Sequence, residues 1–108
     1  MIDSEWERII ASTITNIGTI SASKGREYTQ NDNDRLANFK RAGERTELHP
    51  MKVWFVYFNK HVDSITTYVN DTARGDQRRM SEPIEGRIDD AIVYLLLLKG
   101  LIADGKKT

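Results

Sequence analysis

The most constraining feature of this sequence is its last long apolar segment, IDDAIVYLLLLKGLI, which spans residues 88–102. From Ile92 onward, apolar residues occupy every side of a helical projection instead of one stripe. Such a helix lies at the centre of a bundle or is shared with another subunit. The run Ala91–Leu98 is too short to span a membrane, and charged residues bracket it. The sequence therefore predicts a buried helix.

Helical periodicity extends over most of the remaining chain. The spacing of Trp6, Ile10 and Ile14 predicts a helix from Asp3 to about Ala22. A shorter helix carrying Leu36, Phe39 and Ala42 should follow, with a cap in the run Asn31–Asn33 and a stop near Gly43.

The segment after Pro50 can be interpreted in two ways. Val53–Phe58 consists of strand-forming residues, so a β-strand is one interpretation of this segment. Pro50 suits a first helical turn, and the apolar residues persist at a 3.6-residue period for longer than a strand lasts. We therefore predict a third helix. Its core stripe is Met51, Trp54, Phe58, Val62, Ile65 and Val69, and that of the last helix is Ile84, Ile88, Ala91, Leu95, Leu98 and Ile102.

These elements predict an all-α bundle of about four helices. With 108 residues the chain should form one domain, with a disordered tail from about residue 104. The final helix and the aromatic third helix carry more apolar surface than one small bundle hides. We therefore also expect a homo-oligomer.

Composition excludes several classes of function. The chain has no cysteine, which excludes disulfides and cysteine-ligated metal sites. Lys+Arg and Asp+Glu are both 16, so there is no electrostatic case for bulk nucleic acid as a partner. The acidic N-terminus lacks the basic region of a signal peptide. We expect no membrane partner and a cytoplasmic location.

An acidic cluster opens the last helix. Glu82, Glu85 and Asp89 are spaced by three and four residues and so line one stripe. Acids in a first turn complement the helix dipole, and Arg87 or Lys60 could neutralise the others. The same oxygen ligands could instead hold Mg²⁺. Both interpretations remain open from the residues alone.

Two further groups of residues could contact a ligand. Lys60 could bind phosphate or pair with the acidic cluster, and a lone histidine such as His61 is more often a packing residue. The segment Lys24–Phe39 contains charged, aromatic and amide side chains suited to a nucleotide pocket, and such residues are also ordinary in polar loops.

The order of these segments is similar to that of a known class of proteins. The segments that carry this similarity are, in order, KGREY, RLANFK, a helix with KH, and SEPIEGRIDDAIVYLLLL. In this order they resemble small phage-encoded relatives of the all-α nucleotide pyrophosphohydrolases, the MazG and dimeric dUTPase class. The resemblance runs from Lys24 to Ile102. The matching positions are Lys24, Tyr28, Asn38, Phe39, Lys60, Glu85, Asp89 and Tyr94.

This resemblance implies a MazG-like bundle that binds a nucleoside phosphate. Glu85 and Asp89 would be catalytic, and with Glu82 they would hold Mg²⁺. The implied nucleotide-binding residues are Lys24, Arg26, Glu27, Tyr28, Asn38, Phe39, Lys60 and His61, with Tyr28 and Phe39 stacking on the base.

The sequence departs from the class in one respect. The enzymes carry two acidic signatures, EExxE and ExxD, and this chain has only the second, in Glu85 and Asp89. Two functions are therefore open. One is a nucleoside triphosphate pyrophosphohydrolase acting in the host cell cytoplasm. The other is a non-catalytic oligomer that sequesters a linear or cyclic nucleotide, or inhibits a host defence protein.

Overall fold

The computed structural model describes the backbone of residues 1–29, 34–76 and 83–107, with the side chains of residues 23–29 left aside. Over these ranges the chain is all-α and contains four helices and no strand. They are α1 (Asp3–Thr29), α2 (Ala37–Thr46), α3 (Pro50–Ala73) and α4 (Ile84–Gly105). The predicted fold class is confirmed, and Val53–Phe58 is helical.

Local capping explains where α3 begins. Pro50 occupies the first turn, where a missing N–H costs nothing. The His49 side chain precedes it and accepts a hydrogen bond from the Met51 N–H through Nδ1, at 3.1 Å. This bond satisfies one of the free donors of the first turn. His49, one of the two histidines of the chain, thus caps the N-terminus of α3.

The end of α2 depends on a close approach of two backbone segments. The Leu48 N–H donates to the Gly43 carbonyl at 2.9 Å, and Glu47 adopts a left-handed conformation with φ of 57°. A β-carbon on Gly43 would lie 2.7 Å from the Leu48 carbonyl oxygen. Gly43 therefore lies inside α2 and allows the turn that follows, instead of ending the helix as predicted.

Helix α1 is longer than its periodicity predicts. It continues from Ala22 to Thr29 and passes through Gly25. One glycine costs roughly 1 kcal/mol in a helix interior. Lys24, Arg26 and Glu27 are good helix formers beside it. The helix therefore continues past the predicted end at Ala22, and the predicted caps at 31–33 lie outside the described residues.

The core lies where α2, α3 and α4 meet. Trp54 is buried, and its indole Nε1 donates to the Tyr94 carbonyl of α4 at 2.6 Å. Its ring stacks on Phe58 with centroids 4.8 Å apart. Phe39 of α2 packs edge-on against Tyr57 and Tyr94, at 6.4 and 6.3 Å. Leu36, Val53 and Leu101 complete the cluster.

Helices α3 and α4 each pack against two other helices. Helix α4 packs against α3 on one side and α1 on another, while α2 packs mainly on α3. No helix in the described ranges is long and apolar enough to cross a membrane. The predicted burial of this apolar helix is therefore only partial, because Ala91 and Leu101 are buried while Leu95, Leu96 and Ile102 are exposed.

The predicted core stripes were wrong in part. On α4, Ile88, Leu95 and Ile102 are exposed, and the buried positions include Ala91 and Leu101. On α3, Val62 and Val69 are exposed, although Trp54 is buried as predicted. The partners α1 and α2 pack on the other side of the α3–α4 pair. Each predicted stripe thus lies partly in the core, through residues such as Trp54 and Ala91, and partly at the surface.

The backbone approach at Gly43 gives a direct test. We expect Gly43→Ala to destabilise the protein by roughly 1–3 kcal/mol, because the added methyl group forces the Leu48 backbone to move. Gly18→Ala is the matched control. Nothing lies within 4 Å of a β-carbon there, and alanine should stabilise α1 by about 0.5–1 kcal/mol. Urea denaturation monitored by circular dichroism measures both, and equal effects would refute the close approach.

Candidate functional site

The acidic cluster opens α4 with one exposed and one buried carboxylate. Glu85 is exposed in the first turn, where it complements the helix dipole. Asp89, one turn later, is only 8% exposed and faces α1. There Asn16 donates from its amide Nδ2 to Asp89 Oδ2 at 3.3 Å. Glu82 lies outside the described residues, so its part in the cluster stays a prediction.

The burial of Asp89 carries a free-energy cost. A carboxylate removed from water requires a cation or several hydrogen bonds to offset the lost hydration. Among the described residues, Asn16 is the hydrogen-bond donor found for this carboxylate, and it is a neutral amide at long range. An incompletely compensated charge of this kind is a candidate functional group.

Arg87 points toward a different helix from Asp89. Its Nη1 donates to the Ser64 hydroxyl of α3. Two residues along a helix turn the side chain by about 200°, so Arg87 and Asp89 face opposite neighbours. The stripe of Glu85 and Asp89 therefore lies on the α1 side of α4, and Arg87 lies on the α3 side.

Three of the predicted nucleotide-binding residues meet in an aromatic cluster on the α2–α3–α4 side, made of Phe39, Tyr57, Lys60, His61 and Tyr94. The His61 ring lies 4.7 Å from the Tyr94 ring, and Lys60 Nζ lies 5.6 Å from the centre of the Tyr57 ring. The latter is a cation–π contact with the charge exposed to solvent.

Phe39 has a different environment from the one predicted. It is 4% exposed, and both of its neighbours in the aromatic cluster pack against its ring. The ring is therefore a core element in this structure, and its stacking on a base stays a prediction. Asn38, next to it in α2, is half-buried.

The aromatic cluster and Asp89 lie on different sides of α4. Tyr94 follows Asp89 by five residues, which corresponds to about 140° around a helix. The predicted binding residues therefore do not form one compact group within the described part of the chain. Lys24, Arg26, Glu27 and Tyr28 lie in the last two turns of α1, and their side chains are outside the described residues.

Sequence reasoning missed a small ion-pair network at the other end of α4. Lys40 Nζ lies 2.5 Å from Asp34 Oδ2 and 3.1 Å from Asp104 Oδ2. The hydrogen bond from Lys40, with one from the Leu36 N–H, lowers the pKa of Asp34. The bond to Asp34, followed by that to Asp104, raises the pKa of Lys40. No helical spacing links these three residues, so their proximity was not visible in the sequence.

A groove adjoins this network. Its volume is about 460 Å³, and its walls come from α1, the turn before α2 and the C-terminal half of α4. Leu96, Leu97 and Val93 form its apolar side, and Asp34, Arg35 and Asp104 form its charged rim. Arg35 donates to the Ser21 carbonyl across it.

The described side chains contain no group of three histidine, aspartate or glutamate residues positioned to hold a metal ion. The chain was also compared with known families and proteins. It matches no protein family, no curated protein and no solved structure.

The buried carboxylate can be tested by its effect on stability. We expect Asp89→Asn to keep or raise the melting temperature, because the substitution removes a poorly compensated charge and preserves the shape. Asp71→Asn is the contrasting variant. Asp71 is also buried but is paired with Arg74 at 2.5 Å, and its loss should cost roughly 1 kcal/mol. A destabilised Asp89→Asn protein would show that Asp89 is a structural residue.

The Asp34 ion pair predicts a pH dependence. Because the pKa of Asp34 is lowered on folding, the pair stabilises the protein above the usual value of 3.8 and is lost as pH falls below it. Asp34→Asn should therefore reduce stability at pH 7 by less than about 1 kcal/mol, as for exposed pairs, and much less at low pH. Thermal melts from pH 7 to pH 3 test this, with Glu44→Gln on α2 as the control. A difference independent of pH would contradict the assignment.

Proposed function

We propose that this protein binds a nucleoside phosphate beside the N-terminal half of α4, on the side that faces α1, and hydrolyses it with the help of Mg²⁺. The observation that carries the proposal is the buried carboxylate of Asp89, one turn from the exposed Glu85, with a neutral amide as its partner. The order of segments, which resembles the MazG and dimeric dUTPase class, gives the substrate class.

Cations of α1 would contact the phosphates. Lys24 and Arg26 lie on the last turns of α1 and would supply these contacts, and Glu27 would add a polar one. Lys60 and His61 lie in the aromatic cluster on another side of α4 from Asp89, so this site leaves out their predicted contacts and that of Asn38 on α2.

An aromatic surface would receive the base. Tyr28 would stack on it, because base recognition commonly uses an aromatic face. Phe39 is buried and packs against Tyr57 and Tyr94 in the core instead of touching the base. This is a revision of the role that the sequence predicted for Phe39.

The acidic cluster has donors that suit Mg²⁺. This cation prefers oxygen ligands and commonly takes one or two carboxylates together with substrate phosphates. Glu82, Glu85 and Asp89 would hold it. When bound, it would supply charge stabilisation at the phosphate and lower the pKa of a water molecule. Asn16 would orient the Asp89 carboxylate through its hydrogen bond.

A second candidate function uses the same site without hydrolysis. The enzymes of the class carry the EExxE signature on the helix before the ExxD helix. The corresponding helix here, α3, offers little more than Asp63, and this difference favours binding without hydrolysis. The protein would then sequester a nucleotide, including a cyclic one, or inhibit a host defence protein as an oligomer.

Nucleotide binding predicts a gain in stability. We expect the melting temperature to rise with a nucleoside triphosphate and Mg²⁺, since a ligand that binds only the folded state stabilises it by mass action. Glu85→Gln should reduce pyrophosphate release at least about 100-fold and leave the ligand-free melting temperature nearly unchanged. The measurement is a thermal-shift screen of linear and cyclic nucleotides, followed by product analysis.

The control and the outcomes separate the two functions. Glu44→Gln removes an exposed carboxylate of α2 and should retain the activity of the unmodified protein. Pyrophosphate release that survives in Glu85→Gln contradicts the catalytic assignment. A thermal shift with the nucleotide recovered intact supports the binding function, and no shift with any nucleotide contradicts both.

A further inference from the structure

The groove beside the C-terminal half of α4 is a second concave site, and it begins one turn beyond Asp89. Its volume of about 460 Å³ falls within the range of small-molecule pockets. Helix α4 contributes one stripe of residues to it, at helical spacings of three and four. They are Val93, Leu96, Leu97, Gly100, Ala103 and Asp104. From Val93 to Asp104 the helix rises roughly 16 Å, so the groove is long and narrow.

The walls of the groove are aliphatic. Val93, Leu96 and Leu97 of α4 face Leu36 from the turn before α2, and none of the described lining side chains is aromatic. Leu96 is 48% exposed, so a ligand that covers it would remove apolar surface from water. A long aliphatic wall fits an acyl chain better than a ring system, which is commonly held against aromatic side chains.

The two carboxylates on the rim of the groove are already paired. Lys40 Nζ lies 2.5 Å from Asp34 Oδ2 and 3.1 Å from Asp104 Oδ2. Asp34 also accepts a hydrogen bond from the Leu36 N–H at 2.9 Å. Lys40 is not among the described residues that line the groove. Both acids are therefore neutralised from outside it.

Arg35 is a cation on the rim with a neutral partner. Its guanidinium donates to the Ser21 carbonyl of α1, and no ion pair of Arg35 is found within the described part of the chain. A guanidinium carries five N–H donors in a planar fork that matches the two oxygens of a carboxylate. The remaining donors can therefore bind an anion in the groove.

The guanidinium lies away from the negative end of α4. Asn16 of α1 contacts Asp89, and five residues later Ser21 shares the groove with Val93. Helices α1 and α4 therefore run in the same direction. Ser21 is about level with Val93, roughly 18 Å before the C-terminal end of α4. The helix dipole acts mainly within the last turn, so it does not disfavour an anion at Arg35.

We propose that this groove binds a medium-chain fatty acid, with its carboxylate on Arg35 and its acyl chain against the aliphatic wall of α4. The wall matches the chain in length and chemistry. The guanidinium matches the single negative charge, since the acids on the rim are paired with Lys40. A bidentate pair between arginine and a carboxylate is among the stronger hydrogen-bonded contacts in proteins. This site does not depend on the function proposed for the acidic cluster.

Calorimetric titration with decanoate, below the concentration at which it forms micelles, tests the proposal. We expect saturable binding of one decanoate per chain. Arg35→Gln should raise the dissociation constant at least about 10-fold, because charge-assisted hydrogen bonds are lost while the amide can still donate to the Ser21 carbonyl. Arg45→Gln removes an exposed arginine of α2 outside the groove and should leave the constant unchanged. Circular dichroism verifies that the variants remain folded.

Two adjacent leucines distinguish the groove from the other apolar surface of α4. Leu96 lines the groove and is 48% exposed, while Leu95 is 46% exposed and lies outside it. Leu96→Gln should raise the dissociation constant roughly 10-fold, because an apolar contact with the chain is lost. Leu95→Gln should leave it unchanged. Equal effects of the two variants would show that decanoate binds apolar surface in general, and would overturn the proposal.

The charge of the ligand gives a further control. Decyltrimethylammonium has a chain of the same length and the opposite charge, so it should bind at least about 10-fold more weakly than decanoate. Equal affinity for the two amphiphiles overturns the proposal, as does an absence of decanoate binding or binding that Arg35→Gln does not weaken. The titrations contain no nucleotide and no Mg²⁺, so their outcome is independent of that at the acidic cluster.

Discussion

The contact between Trp54 and helix α4 is the interaction on which the rest of the structure depends. The indole donates to the Tyr94 carbonyl while its ring is buried against Phe58. This one side chain therefore fixes both the distance between α3 and α4 and the axial position at which they are in contact. With this pairing set, Phe39 can close the core by packing edge-on against Tyr57 and Tyr94. The positions of α2 and of the polar residues near the start of α4 follow from it.

This arrangement reverses the usual distribution of polar and apolar residues on α4. Asp89 is buried against α1, while Ile88, Leu95 and Ile102 are exposed. Each departure costs free energy in a single chain, the first through lost hydration and the second through exposed apolar surface. Departures from the general pattern tend to occur where a protein binds something. A ligand at the acidic cluster would offset the first of these costs.

Much of the fold was predictable because it depends on local spacing. The 3.6-residue period gave the number of helices, and Pro50 with its preceding cap gave the start of α3. The end of α1 was wrong because a single glycine does not outweigh helix-forming neighbours. The candidate site was less predictable. The Asp89–Asn16 and Arg87–Ser64 contacts join different helices, and no spacing within one helix encodes them.

The sequence by itself determined that the chain is helical and that acidic residues occur at the start of α4, because both follow from residue type and short-range periodicity. Tertiary structure alone decided which stripe of each helix is buried. Periodicity identifies an apolar stripe but not its partner, and here α1 and α2 pack on the opposite side of the α3–α4 pair. It likewise decided that Phe39 enters the core and that Asp89 faces an amide, since both depend on how the helices are placed relative to one another.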